Sequence, residues 1–213
     1  MRLKCFLRVK LKFTSKKLMV EAKILITGAS GFVGKNLTHQ LGGKNYNFTK
    51  LSLRDDDWEK ELNQANVDTY IHLAGIAHDI ANVNDDEIYY DVNYELTKEL
   101  YDCFLKDVKA ARFIFFSSVK AAADQPEQVL TEDVKPNPKT AYGKSKLMAE
   151  NYILDNLPSD KKVFILRPCM IHGAGNKGNL NLLHNFIAKG FPYPFGDFKN
   201  KRSFVSIDNV CFI

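Results

Sequence analysis

At 213 residues the chain is long enough for one large domain with a substantial core, and its 45% hydrophobic and 26% charged content is that of an ordinary globular protein. No apolar run approaches the roughly 20 residues of a membrane-crossing helix, and Cys5, Cys103, Cys169 and Cys211 include no C-x-x-C pair, which argues against a zinc site or a disulfide framework and fits a reducing cytoplasm. The net charge of +5 is concentrated in residues 1–22, where seven Lys and Arg face Glu21; the remaining chain carries −1 and offers no basic surface for nucleic acid.

Those first 22 residues read as a basic extension without the continuous apolar region of a signal peptide, and Met19 reads as the natural start. Lys23-Ile-Leu-Ile-Thr-Gly-Ala-Ser-Gly-Phe-Val-Gly34 then organises everything that follows. Ile24, Leu25 and Ile26 predict a buried parallel strand. The pattern breaks at Thr27-Gly28 and resumes as a helix with Val33, Leu37 and Leu41 on one side. Gly28, Gly31 and Gly34 fall where strand becomes helix, giving a tight turn, close backbone approach to a phosphate and close helix–strand contact. The spacing is G-x-x-G-x-x-G, and a plain glycine-rich turn is the bland alternative.

Gly42-Gly43 predicts a helix stop, and Phe48, Leu51 and Leu53 mark a second strand within Tyr46 to Leu53. Asp55-Asp56-Asp57 offers caps to a short helix with Trp58, Leu62 and Ala65. Val67 to Gly75 is the third strand. From Asp85 to Lys106 the four-residue spacing of Ile88, Val92, Leu96, Leu100 and Phe104 predicts one long helix. Arg112 to Ser118 is another buried strand, residues 119–140 form a proline-bearing loop, Ala141 to Asn156 is helical, and Val163 to Leu166 is a strand closed by Arg167-Pro168. This alternation predicts an α/β, Rossmann-like, doubly wound parallel sheet with helices on both faces. The expected divisions are residues 1–22, a dinucleotide-binding domain over 23–172, and the beginning of a substrate lobe over 173–213 that reads as truncated at Cys211-Phe-Ile213.

Tyr142 and Lys146 stand four apart, on one face of a helix. A phenol titrates near ~10, and a cation one turn away lowers that value and makes it a usable acid or base. Ser118 lies at the C-terminal end of a parallel strand, where such sheets bind ligands. Its neighbour Ser117 competes for the role, but side chains alternate along a strand and only one of the two can face the cleft. A solvated Tyr-x-x-x-Lys pair is the alternative for that motif alone. His72 and His172 read as structural, and His78, Lys177 and Lys199 are given no role.

Thr27-Gly-Ala-Ser-Gly-Phe-Val-Gly34, His72-Leu-Ala-Gly75, Ser117-Ser118, Tyr142-x-x-x-Lys146 and Arg167-Pro168 together resemble the extended short-chain dehydrogenase/reductase family, in its NAD-dependent epimerase/dehydratase branch acting on nucleotide sugars. The resemblance covers residues 23–213. It implies Ser118, Tyr142 and Lys146 as catalytic residues, Tyr142 exchanging the proton of a sugar hydroxyl while a nicotinamide takes or gives hydride. It implies cofactor contacts from Gly28, Ser30, Gly31, Phe32, Val33, Gly34, Leu73, Ala74, Gly75, Asn93, Tyr142, Lys146 and Pro168. Asn93 also reads as a buried structural amide.

The resemblance implies that Ser118, Asn179 and Arg202 contact a nucleoside-diphosphate sugar, UDP-linked, with Arg202 gripping its pyrophosphate. Asn176-Lys-Gly-Asn-Leu180 and Pro192-Tyr-Pro-Phe-Gly196 resemble bacterial polysaccharide enzymes, 4-ketoreductases and 4-epimerases among them. One strand–helix unit before His72 is compressed or missing. Arg54 there favours NADP and its neighbour Asp55 favours NAD, so the cofactor stays NAD or NADP. The resemblance also implies a cytoplasmic enzyme and a homodimer through the helices bearing Asn93 and Tyr142. The alternative is a non-catalytic dinucleotide-binding module lacking its substrate lobe.

Overall fold

A computed structural model describes residues 22–44, 46–77, 86–124, 126, 129–131, 133–176, 179–190 and 202–213, without the side chains of 179–183. The basic N-terminal segment, His78, Lys177, Gly178, Pro192 to Gly196, Lys199 and the side chain of Asn179 lie outside these residues. The described chain forms two compact units, one ending at Pro168 and one running Cys169–Ile213.

The first unit is a sheet of five parallel strands, β1 (Lys23–Thr27), β2 (Asn47–Leu51), β3 (Thr69–His72), β4 (Arg112–Phe116) and β5 (Lys162–Leu166), in the order β2-β1-β3-β4-β5. β1 sits between β2 and β3, with Ile24 opposite both Phe48 and Thr69. Among the described residues a single strand lies on the β2 side of β1, one strand–helix unit fewer there than in the commoner six-stranded order. The helices are α1 (Phe32–Gly43), α2 (Trp58–Gln64), α3 (Glu87–Tyr90), a π turn (Asp91–Glu95), α4 (Leu96–Lys106) and α5 (Ala141–Asp155). Right-handed crossovers put α1 on one face and α2, α4 and α5 on the other. The core agrees: Leu25 joins Trp58, Leu62, Leu100, Phe104, Ala149 and Ile153 in one cluster, and no α1 side chain belongs to it. Because the chain winds left from β1 to β2 and right from β3 onward, the switch point lies between β1 and β3. In open sheets ligands bind outside the strand ends at that crevice.

The cluster is aromatic at its centre. Tyr101 meets Phe113 edge-on at 5.0 Å, and Tyr70 meets Phe104 edge-on at 5.5 Å. Each phenol reaches a polar partner at the edge of the core, Tyr70 donating to Asp107 at 2.9 Å and Tyr101 to the Asn156 carbonyl at 3.1 Å. Burial pushes the Tyr101 phenol up to about 12.

Two expectations shift in register. α1 buries Gly34 and Thr38, while Val33, Leu37 and Leu41 are half-buried. The single helix expected from Asp85 is α3, the π turn and α4. In its first half the buried positions are Tyr89, Asn93 and Thr97, and Ile88 is exposed. The apolar spacing of Ile88, Val92 and Leu96 misleads there, because Asn93 and Thr97 are held inside by hydrogen bonds. The π turn adds the residue that rotates the helix onto Leu100 and Phe104.

The second unit holds β6 (Met170–His172) parallel to β7 (Phe204–Ser206), α6 (Asn179–Ala188) and α7 (Ile207–Phe212). Ser206 caps α7 by accepting from the Asn209 amide at 3.2 Å. Among the described residues, no helix is long and apolar enough to cross a membrane.

Lys161 closes α4. Its ammonium donates to the carbonyls of Phe104 at 2.6 Å, Leu105 at 3.0 Å and Asp107 at 2.7 Å, and stands 4.7 Å over the Phe104 ring. These are orphan carbonyls of a helix end, answered by a cation where the helix dipole is negative. Lys161→Met keeps the stem and removes the donors, so it destabilises the protein by about 2 kcal/mol, read as a lower urea midpoint at unchanged slope.

Candidate active site

The glycine turn stands at the crevice. Gly28 has φ +68, and a Cβ there would lie 2.5 Å from the Ala74 amide nitrogen. The chain leaving β3 therefore crosses directly over Gly28, which only glycine permits. Gly31 N donates to the Gly28 carbonyl at 3.0 Å. A Cβ on Gly34 would collide with that same carbonyl and stand 2.6 Å from the Ala29 Cα. The N-cap of α1 is Gly31, with no side-chain cap bond and no acidic residue in the first turn. A twelve-residue helix thus presents an N-terminus suited to a phosphate, flanked by exposed Ser30 and half-buried Phe32 and Val33. Leu73 and Ala74 line the opposite side; their amides donate to the carbonyl and the hydroxyl of Thr27, at 3.2 and 3.3 Å.

That geometry is held from beneath by His72, which is wholly buried between Thr27 and Thr97. Nδ1 lies 2.7 Å from Thr27 Oγ1, and Nε2 lies 2.8 Å from Thr97 Oγ1. Thr97 spends its only proton on the Asn93 carbonyl at 2.8 Å. It must therefore accept from Nε2–H, which leaves Nδ1 to accept from the Thr27 hydroxyl. Thr27 in turn accepts from the Ala74 amide. Every proton in the chain from Ala74 to Asn93 has one place to go, and the imidazole is neutral. Burial, with the Lys146 charge, pulls its pKa down to about 3.

Asn93 continues the framework. Its Oδ1 accepts from the Ile76 amide at 2.9 Å, and its Nδ2 donates to the Ile76 carbonyl and Ser145 Oγ, both at 3.2 Å. The π turn that carries it is the kind of local irregularity found at functional sites.

On α5, Thr140 caps the helix by accepting from Gly143 N at 3.1 Å, and Asp124 fixes Thr140 through its hydroxyl at 2.7 Å and its amide at 3.1 Å. This places Tyr142 in the first turn, half-buried, its ring edge-on to Tyr89 at 6.2 Å. Lys146 lies one turn on, buried, its ammonium donating to the Phe116 carbonyl at 3.2 Å and standing 4.9 Å over the Phe115 ring. Desolvation pulls Lys146 down to about 8. A Cβ on Gly75 would be 2.7 Å from Asn93 Oδ1 and 3.0 Å from Lys146 Nζ, so these three converge.

The two serines part company. Ser117 is buried and donates to Glu150, whereas Ser118 is half-buried and accepts from Lys120 N at 3.2 Å, capping a 3-10 turn over Val119–Ala121. The Pro168 carbonyl accepts from Val119 N at 3.0 Å. Arg54 and Asp55 are both exposed past the end of β2. Asn179 opens α6, and Arg202 is exposed ahead of β7, both in the second unit. Sequence reasoning missed Asp124, Ser145, Thr97 and Glu150. Only Glu150 carried a signal, standing four residues past Lys146.

A family model described as the NAD dependent epimerase/dehydratase family matches residues 24–213. The chain is 33% identical to a UDP-glucose 4-epimerase of Vibrio cholerae over 217 residues, covering 88% of this chain and 63% of that protein. It is 28% identical to an N-acetyl-alpha-D-glucosaminyl-diphospho-ditrans,octacis-undecaprenol 4-epimerase of Escherichia coli O157:H7, covering 88% and 60%. The chain thus spans about three-fifths of the length of these relatives. Among solved structures, MoeE5 in complex with UDP-glucose and NAD superposes with a TM-score of 0.73 at 24% identity, covering 89% of this chain and 69% of that one. The Bordetella bronchiseptica enzyme WbmG in complex with NAD gives 0.76 at 18% identity, covering 92% and 68%.

The His72 chain has a measurable consequence. An ordinary histidine titrates near 6.5 and this one at about 3, so between those values the unfolded chain binds a proton that the folded one refuses. Stability is full above about pH 6.5 and falls with pH at a slope approaching about 1.4 kcal/mol per unit from this residue. Urea unfolding from pH 7 to 4 shows the fall, and His72→Gln reduces the slope while lowering stability at pH 7.

Proposed function

Since the chain belongs to the NAD-dependent epimerase/dehydratase family, we propose that it is the cofactor-binding portion of an enzyme that epimerises or reduces a nucleoside-diphosphate sugar, UDP-linked. The observation that carries this reading is the union of Tyr142 and Lys146 on α5 with a buried ammonium tied to the end of β4, beside a glycine turn at the switch point. The residues present fit the dinucleotide: the turn has no room for a Cβ at Gly28 or Gly34, and α1 begins without a side-chain cap. Ser30, Gly31, Phe32 and Val33 would hold the pyrophosphate, Leu73, Ala74 and Gly75 would flank the adenosine half, and Pro168 would flank the nicotinamide.

The bound nicotinamide supplies the hydride acceptor or donor. The protein's own part is proton transfer and position. Tyr142 moves the proton of the sugar hydroxyl, and Lys146, charged one turn away, favours the phenolate. Ser118 holds the substrate oxygen beside Tyr142. Asn179 and Arg202 would grip the nucleotide, the guanidinium of Arg202 pairing with the pyrophosphate. A cytoplasmic homodimer through the helices bearing Asn93 and Tyr142 belongs to the same proposal.

The test is a panel of UDP- and dTDP-sugars with NAD(H) and NADP(H), with identification of the products. Turnover is expected, and Tyr142→Phe lowers kcat by about a hundredfold or more while dinucleotide binding persists. Failure to bind any nicotinamide dinucleotide overturns the reading, and binding without turnover of any sugar nucleotide leaves a binding module instead.

The exposed pair after β2 is proposed to set cofactor preference. Arg54 suits a 2′-phosphate and Asp55 suits a ribose hydroxyl. Arg54→Ala therefore weakens NADPH more than NADH, and Asp55→Ala does the reverse, each read as a ratio of dissociation constants by NAD(P)H fluorescence.

A further inference from the structure

Lys146 is a cation where water does not reach, 4% exposed. A backbone carbonyl and a ring face give it only partial negative charge, and a buried ammonium needs an anion. From β3 it is faced by His72, which is neutral, and from the π turn by Asn93, which is uncharged. On its own helix, Tyr142 stands one turn before it and Glu150 one turn after. Glu150 is 1% exposed, and its Coulombic pull is the one influence raising Lys146 against desolvation.

Glu150 is surrounded by donors. Ser117 Oγ donates to its Oε1, and Arg167 forks across both oxygens, Nε at 3.0 Å to each and Nη2 to Oε2. Donors from the ends of β4 and β5 thus fix one carboxylate on the helix face of Lys146. The same strand end supplies both turns of α5: Phe116 accepts from Lys146, and Ser117 donates to Glu150. If Glu150 served only to anchor Arg167, nothing would require it to lie four residues from the ammonium.

We propose that Glu150 is a positioning residue for the reaction, the counter-charge that keeps Lys146 an ammonium one turn from Tyr142, with Arg167 moderating that charge. The inference rests on Tyr142 and Lys146 being the proton-handling pair, but its test reads Lys146 directly.

The experiment is an NMR titration of the full chain labelled with 13Cε-lysine, the Lys146 signal being assigned by its loss in Lys146→Met. In the unaltered protein the midpoint lies well below the ordinary lysine range, near about 8. Glu150→Gln lowers it by roughly one pH unit, and Glu150→Asp, which keeps the charge, lowers it less. Arg167→Met raises it, because the Glu150 carboxylate then faces Lys146 without a second cation beside it. Lost structure alone lowers the melting temperature of both variants without moving the midpoint in opposite directions. A midpoint unmoved in Glu150→Gln overturns the inference. Should that variant fail to fold, a midpoint unmoved or lowered in Arg167→Met does so. The alkaline limb of the kcat profile is expected to follow the midpoint. A moved midpoint with an unmoved limb upholds Glu150's hold on Lys146 and counts against the proton-handling role of the pair.

Discussion

The grip of α5 on the end of β4 is the constraint on which the candidate site depends. Two consecutive strand residues address two consecutive turns of one helix, Phe116 through its carbonyl and Ser117 through its hydroxyl. A rotation of α5 would leave a buried ammonium and a buried carboxylate without partners at once, a cost of several kcal/mol. The helix therefore has one register. Tyr142, on the same face one turn earlier, inherits that register, and Asp124 fixes the other end of the relation through Thr140.

A second framework fixes the opposite wall. Thr27, His72, Thr97 and Asn93 link the end of β1, the end of β3 and the π turn through hydrogen bonds whose direction is forced. None of these groups need touch a ligand. Their role is to hold Ala74 against Gly28, so the crevice is narrow before anything binds there. Both walls meet near Gly75, where Asn93 and Lys146 approach the same backbone. The site is thereby pre-organised, and little conformational entropy is left to lose on binding.

What could be read from the sequence follows from how local the cause is. The glycine turn was legible because positive φ and close approach demand glycine at fixed positions, whatever the rest of the chain does. The parallel strands were legible because Ile24 to Ile26 and Phe113 to Phe116 are apolar on both faces. The buried stripe of the long helix was only partly legible: Asn93 reads as a buried amide, but Thr97 looks like a surface residue until its partner His72 on β3 is known. Glu150 carried only its spacing from Lys146, a carboxylate on a helix being ordinarily solvated. Ser117 and Ser118 were separable only through alternation, which the end of β4 obeys. The compressed unit before His72 was visible as a shortage of residues, and among the described strands the sheet order puts the shortage at the edge beyond β2.

The π turn over Asp91–Glu95 also bears on how this chain tolerates insertion and deletion. It contains one residue more than an α-helical ladder would use. Removing one residue there would restore a regular α-helical ladder and leave the turns on either side close to their present phase. Tyr89 and Thr97 would keep nearly the same facing, while Asn93, inside the turn, would lose the position from which it reaches Ile76 and Ser145. A length change that most helices would reject outright is here cheap for the flanking turns, its cost falling on Asn93. The protein carries, inside a helix, a one-residue margin of the kind usually found only in loops.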